Sequence, residues 1–134
     1  MPEPFVLKDD GACFACGERN PIGLRLTFAW QGEEYRTQFT VRPEHAGWAG
    51  IAHGGLIATV LDEVMARLLW EKGHQALTAK LEVRFHRPVG IGESLAVSGR
   101  ITRASPRLVE TRAQARAADG DLVAEAFAIS LPPR

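Results

Sequence analysis

The sequence has no run of 18 apolar residues and no N-terminal stretch in which charged residues precede an apolar segment. The first absence excludes a membrane-spanning helix, and the second predicts a cytoplasmic protein. The formal net charge is zero, with 16 basic and 16 acidic residues, which argues against a general nucleic-acid or membrane-surface binder. No repeat, low-complexity stretch or linker interrupts the chain, so we expect one domain over residues 1–134.

Cysteine is also scarce, and this limits metal binding. Cys13 and Cys16 form a single C-x-x-C pair, and the four histidines are scattered. Half a zinc site is a weak signal, so we expect no metal and no bound cofactor. We interpret the two cysteines as reduced residues in a tight turn of an irregular segment, residues 1–23.

Apolar and polar residues alternate along six stretches, as they do in half-buried strands. Two stretches lie at 24–30 and 35–41, and four follow from 77 to 131. In the third, residues 77–85, the alternation puts Leu77 on the apolar face and Thr78 on the polar face. Residues 54–72 between them predict one long helix. Short connections favour an antiparallel sheet, so the sequence predicts an α+β fold in the order β-β-α-β-β-β-β.

The predicted helix carries charged residues of two kinds. Glu63, Arg67 and Glu71 are spaced by four and predict a solvated stripe in which Arg67 pairs with Glu63. Asp62 is rotated by about 100° from Glu63 and has no basic neighbour on the helix. It therefore needs a partner on a distant strand or subunit, or a chemical role.

His53-Gly54-Gly55 stands where the helix begins. Backbone N–H groups there lack internal partners and carry partial positive charge, and glycines let a ligand approach them closely. The motif predicts an oxyanion or carbonyl site, with a plain loop-to-helix turn as the alternative. Asp62 lies seven residues beyond Gly55, about 10 Å along the axis, so one helix cannot place both groups on one carbonyl. Two chains related by a two-fold axis can, with glycine from one and aspartate from the other.

Residues 47–63, which include this motif and Asp62, resemble the hotdog-fold acyl-CoA thioesterases of the phenylacetate-pathway (PaaI-like) type. Residues 13–17, 20–24, 85–88, 92–93 and 119–124 extend the resemblance over nearly the whole chain. The resemblance implies a hotdog fold, in which a curved antiparallel sheet wraps around one long central helix. It also implies a homodimer or homotetramer.

The resemblance also implies roles for individual residues. Asp62 would act as nucleophile or as general base for water, and the N–H of Gly54, with Gly55 as a second donor, would polarise the thioester carbonyl. His53 would hold the carbonyl or the site geometry, and Thr78 would orient the water. Several relatives have Asn or Gln six residues before the histidine, where this chain has Gly47.

The implied activity is hydrolysis of an acyl-CoA to a free acid and CoA, with Arg84, Arg87 and Arg107 as candidates for holding the CoA phosphates. Two alternatives remain. Hotdog hydratases have a histidine five residues after the aspartate, where this chain has Arg67. A non-catalytic acyl-CoA-binding or scaffold protein is the other.

Overall fold

The chain forms one long helix and six strands in the order expected from the sequence. The computed structural model describes residues 6–133. The helix α1 spans Gly54–Glu71, and a short 3-10 helix at Pro43–His45 precedes it. The strands are β1 (Phe28–Gln31), β2 (Glu34–Thr40), β3 (Leu77–Phe85), β4 (Ser94–Ser105), β5 (Leu108–Arg116) and β6 (Leu122–Leu131).

The six strands make one antiparallel sheet in the order β1-β2-β4-β5-β6-β3. The predicted α+β class is confirmed, and the arrangement of one helix packed on such a sheet is that of a hotdog fold. β3 follows the helix in sequence but, among the described strands, pairs only with β6, so it forms one edge of the sheet.

Helix-forming residues follow directly after the two glycines that begin the helix. The helix packs on the sheet through a stripe of buried apolar residues. That stripe consists of Ile57, Val60, Leu61, Val64, Met65, Leu68 and Leu69. At Gly99 on β4, an added Cβ would lie 3.2 Å from Cγ1 of Val64, so the helix approaches the sheet closely there. No helix within residues 6–133 is long and apolar enough to cross a membrane.

The first predicted strand, residues 24–30, was too long. Leu24 and Leu26 donate their backbone N–H groups to the carbonyls of Phe14 and Ala15 in the N-terminal loop, at 2.8 and 2.9 Å. Arg25 between them has a positive φ of 54°, which interrupts an extended strand. The ladder with β2 therefore begins only at Phe28.

The predicted alternation of β3 was also wrong at its start, because a β-bulge at Ala79 reverses it. Thr78 lies opposite Ser130 and Lys80 lies opposite Ile129, so Ala79 is an extra residue. Ser130 is buried and faces the helix. Thr78 therefore points inward, whereas Leu77 points outward and is 49% exposed.

Candidate active site

The start of α1 is a capped turn with one free backbone donor. Nδ1 of the N-cap residue His53 accepts a hydrogen bond from Gly55 N–H at 2.9 Å. A backbone N–H can only donate, so the His53 proton lies on Nε2. The N–H groups of Leu56 and Ile57 bond to the His53 carbonyl. Gly54 N–H has no acceptor among the described residues.

This geometry separates the two glycines of the motif. Gly55 N–H already donates to the side chain of His53. Of the two glycines that the sequence suggested as donors to a substrate carbonyl, Gly54 therefore remains the candidate. His53 serves the turn through its side chain, which is the geometric part of its expected role. A Cβ added at Gly54 would lie 3.4 Å from Cζ of Phe85, so the β3 edge runs past this donor.

The Asp62 carboxylate is held by a hydroxyl on β3. Thr78 Oγ1 donates to Asp62 Oδ1 at 2.8 Å, in a partly buried position. Burial raises the pKa of Asp62 above its usual value, and the hydrogen bond from Thr78 offsets part of that rise. The structure thus brings Asp62 and Thr78 together, although the sequence alternation had turned Thr78 away from the helix.

Asp62 and the Gly54 donor are far apart within one chain. They are separated by eight residues of continuous helix, or about 12 Å along the axis. A thioester carbonyl would need its carbon about 3 Å from the nucleophile or its water and its oxygen at Gly54 N–H. One carbonyl group cannot span the distance between Asp62 and Gly54. Within one chain there are two half-sites, one at each of these residues.

A cavity of about 850 Å³ opens beside the helix start, which is within the usual size of a small-molecule site. His53 and Gly55 of the helix start line it, together with Phe14 and Ile22 of the N-terminal loop. Two cationic residues, Arg25 and Arg42, also line it. Sequence reasoning missed both arginines, because Arg25 had been assigned to a strand and no motif surrounds Arg42.

The three arginines expected to hold CoA do not form one cluster within the chain. Arg84 lies level with Gln114 across β6, whereas Arg107 precedes β5 at its other end. Seven residues of strand separate these levels, or about 23 Å. Arg87 pairs with Glu93 at 3.3 Å and also bonds the Pro88 carbonyl.

The predicted pairing of Arg67 with Glu63 was wrong. Arg67 instead bonds Asp9 at 2.6 Å and Glu71 at 3.3 Å, which holds the N-terminal segment on the helix. Glu63 faces Cys13 and Cys16, which are both free thiols in a turn. The ion pairs of Arg67 and its place five residues after Asp62 leave no base for hydratase chemistry there.

Gly47 lies directly against the motif histidine. A Cβ at this position would be 3.1 Å from Cα of His53, which is a tight contact. The structure therefore gives a packing reason for glycine here, at the position where several relatives carry an amide side chain.

The sequence model of the thioesterase superfamily matches residues 49–124, more than half of the chain, and spans the motif, Asp62 and Thr78. The chain belongs to the thioesterase superfamily. This confirms the resemblance to PaaI-like hotdog thioesterases.

Individual relatives agree with the family. Human acyl-coenzyme A thioesterase 13 is 28% identical over 91 residues, which cover 66% of this chain and 65% of that protein. A crystal structure of a thioesterase superfamily protein has a TM-score of 0.80 and 26% identity, covering 86% of this chain and 60% of the other. A variant of the phenylacetic acid degradation protein PaaI from Thermus thermophilus has a TM-score of 0.74 and 22% identity, covering 82% of this chain and 95% of its own. The chain thus spans slightly less than two thirds of the length of the human relative.

Proposed function

We propose that the chain is an acyl-CoA thioesterase, which hydrolyses an acyl-CoA to a free acid and CoA. The observation that carries the proposal is the hydrogen bond from Thr78 to Asp62, because it fixes a partly buried carboxylate that forms no salt bridge within residues 6–133. Membership of the thioesterase superfamily and the name of the human relative support the same chemistry.

In this proposal Asp62 activates the attack on the thioester carbonyl, as nucleophile or as general base for water. Both routes need the carboxylate ionised, and both benefit when Thr78 holds Oδ1 and leaves Oδ2 directed at the substrate. The thioester carbonyl oxygen accepts a hydrogen bond from Gly54 N–H, where the start of α1 stabilises developing negative charge. His53 keeps that turn in place by capping Gly55.

The two half-sites require a second copy of the chain. β3 is an edge strand of nine residues, and its inward-facing Leu81 and Phe85 are 37% and 50% exposed. An uncovered apolar edge of this length favours pairing with another strand. We expect two copies to pair their β3 strands antiparallel about a two-fold axis, which makes a homodimer the smallest active unit.

The register of that pairing follows from the positions of the half-sites. On β3, Thr78 is the residue that contacts Asp62, and Phe85 is the residue that lies beside Gly54. If the two-fold axis passes at Glu82, Thr78 of one chain lies opposite Phe85 of the other, because Ala79 is the extra residue of the bulge and takes no position in the ladder. Asp62 of each chain then approaches Gly54 of its partner, and two composite sites result. Two such dimers can associate further into a homotetramer.

The substrate would lie across this subunit boundary. The cavity at the helix start accepts one part of the acyl-CoA, where Arg25 is available for anionic groups and Arg42 becomes available if it leaves Glu44, with which it pairs at 3.8 Å. Of the arginines expected from the sequence, Arg84 and Arg107 form no ion pair within the described residues and stay candidates for the CoA phosphates. Arg87 stays a candidate only if it leaves Glu93. We expect the reaction to take place in the cytoplasm.

The proposal is tested with acyl-CoAs that carry short, medium and aromatic acyl groups. Release of CoA should be followed chromatographically, because Cys13 and Cys16 would react with thiol reagents. Asp62→Asn should lower kcat by about 10²–10⁴. The matched control is Glu71→Gln, which changes an exposed carboxylate of the same helix and should keep the wild-type rate. Binding of acyl-CoA without release by the wild-type chain would instead support a scaffold protein.

A further inference from the structure

The N-terminal loop brings both cysteines of the chain onto the side of α1. Hydrogen bonds shape the loop: Gly17 N–H donates to the Cys13 carbonyl at 2.8 Å, and Arg19 N–H donates to the Gly11 carbonyl at 2.9 Å. A Cβ on Gly17 would lie 2.4 Å from the backbone nitrogen of Cys13, so only glycine fits after the second cysteine. The turn C-x-x-C-G therefore presents two thiols in one direction.

The third member of this cluster is Glu63. The Sγ atoms of Cys13 and Cys16 and a carboxylate oxygen of Glu63 all lie within 4.8 Å of one another, and each residue is half-buried. Cys13 Sγ and Glu63 Oε1 are 3.7 Å apart. In a tetrahedral zinc site with Zn–S near 2.3 Å and Zn–O near 2.1 Å, such a pair of ligand atoms is about 3.6 Å apart.

Glu63 forms no salt bridge within residues 6–133. Its hydrogen-bond partner there is the thiol of Cys13, which is a weak donor. Arg67, the nearest cationic side chain on the helix, is bonded to Asp9 and Glu71.

We propose that Cys13, Cys16 and Glu63 bind a divalent metal ion of the zinc type. Two thiolates favour a borderline-soft ion over Mg²⁺ or Ca²⁺, and binding releases the two thiol protons to solvent. The ion would replace the thiol–carboxylate contacts by three metal–ligand bonds. All three residues line a cavity of about 260 Å³, which has room for a water molecule as the fourth ligand.

Such an ion would fasten the N-terminal loop to α1 next to Asp62. It takes no part in the proposed hydrolysis, because Glu63 is rotated by about 100° from Asp62 on the helix. In the sequence, the C-x-x-C pair marks only half of this site. The sequence does not indicate the third ligand, Glu63, because Arg67 stands four residues after it and is the ion-pair partner that helix spacing predicts.

The test uses the full-length chain without an affinity tag, reduced with a phosphine that does not bind metals. After removal of metal by chelation, Co²⁺ is added as a spectroscopic probe, and Zn²⁺ is titrated in competition with a chromogenic chelator. We expect one metal ion per chain and thiolate-to-cobalt charge-transfer absorption. Cys13→Ser should abolish that absorption, and Glu63→Gln should weaken Zn²⁺ affinity by at least about tenfold. Glu71→Gln, on the same helix, should bind as the wild type does.

A folding defect in the cysteine variant would be visible by circular dichroism, so a second measurement uses the wild-type chain. Zn²⁺ should protect both cysteines from alkylation and raise the melting temperature. The proposal is overturned if the reduced wild-type chain binds no metal, or if Glu63→Gln binds with unchanged affinity. Neither result depends on thioesterase activity, so the two proposals fail separately.

Discussion

Replacing Gly54 by proline should remove one backbone N–H from the start of α1 and leave the helix in place. Proline is well tolerated at the first helical position, where its missing N–H has no helical partner. The preceding residue, His53, has φ −64° and ψ 127°, which is the extended conformation that a residue before proline prefers. The His53 cap uses Gly55 N–H, so it is preserved.

The expected loss follows from the role given to this donor. Removal of one oxyanion-hole hydrogen bond costs about 10²–10³ in kcat, or about 2.7–4 kcal/mol. Because Gly54 N–H has no acceptor among the described residues, little folding stability should be lost with it. Steady-state kinetics and thermal unfolding of the same preparation would measure both quantities.

Gly54→Ala is the matched control, because it adds the Cβ and keeps the N–H. That Cβ would lie 3.4 Å from Phe85, an ordinary contact, so activity should stay near the wild-type value. A folded Gly54→Pro chain with wild-type kcat would refute the role of this donor. If alanine lowered kcat as much as proline does, the contact with Phe85 would be the cause.

Three other changes test other parts of the structure. Thr78→Val should lower kcat by about 10- to 100-fold, since a hydrogen bond to a charged group contributes about 1.5–3 kcal/mol. Thr78→Ser keeps the hydroxyl and should retain most of the wild-type kcat. Equal kcat values in the two variants would exclude a role for the hydroxyl. Leu81→Arg should split the dimer in light scattering and abolish turnover, and a fully active monomer would contradict the composite site. Gly17→Ala should cost about 1–3 kcal/mol in a denaturant titration, because its Cβ meets backbone atoms at 2.4 Å, whereas Gly90→Ala has no contact closer than 3.6 Å and should cost less.

The fold could be predicted because its signals are local. The alternation of residues 35–41 and the apolar run after Gly55 each indicate an element by themselves, and the short connections then leave few topologies. The start of the helix was likewise marked by His53 and two glycines. These positions agree with the structure to within one or two residues.

The details that the sequence could not supply depend on contacts between distant segments. Arg67 stands four residues from Glu63, yet it bonds Asp9, which is 58 residues away in sequence. This long-range ion pair leaves Glu63 free for the two thiols. Similarly, Arg84 and Arg107 are both strand-flanking arginines in the sequence, and only the sheet register shows that they lie at opposite ends.

The bulge at Ala79 has a further consequence for the composite site. Thr78 and Phe85 are seven residues apart, an odd number, so on a strand of unbroken alternation they would face opposite sides of the sheet. The extra residue of the bulge reverses the alternation of the side chains. Thr78, which bonds Asp62, and Phe85, which lies beside Gly54, therefore point to the same face of the sheet. Deleting Ala79 would remove no residue that contacts Asp62 or Gly54. It would nevertheless place Thr78 and Phe85 on opposite faces of the sheet, so that the two half-sites could no longer combine.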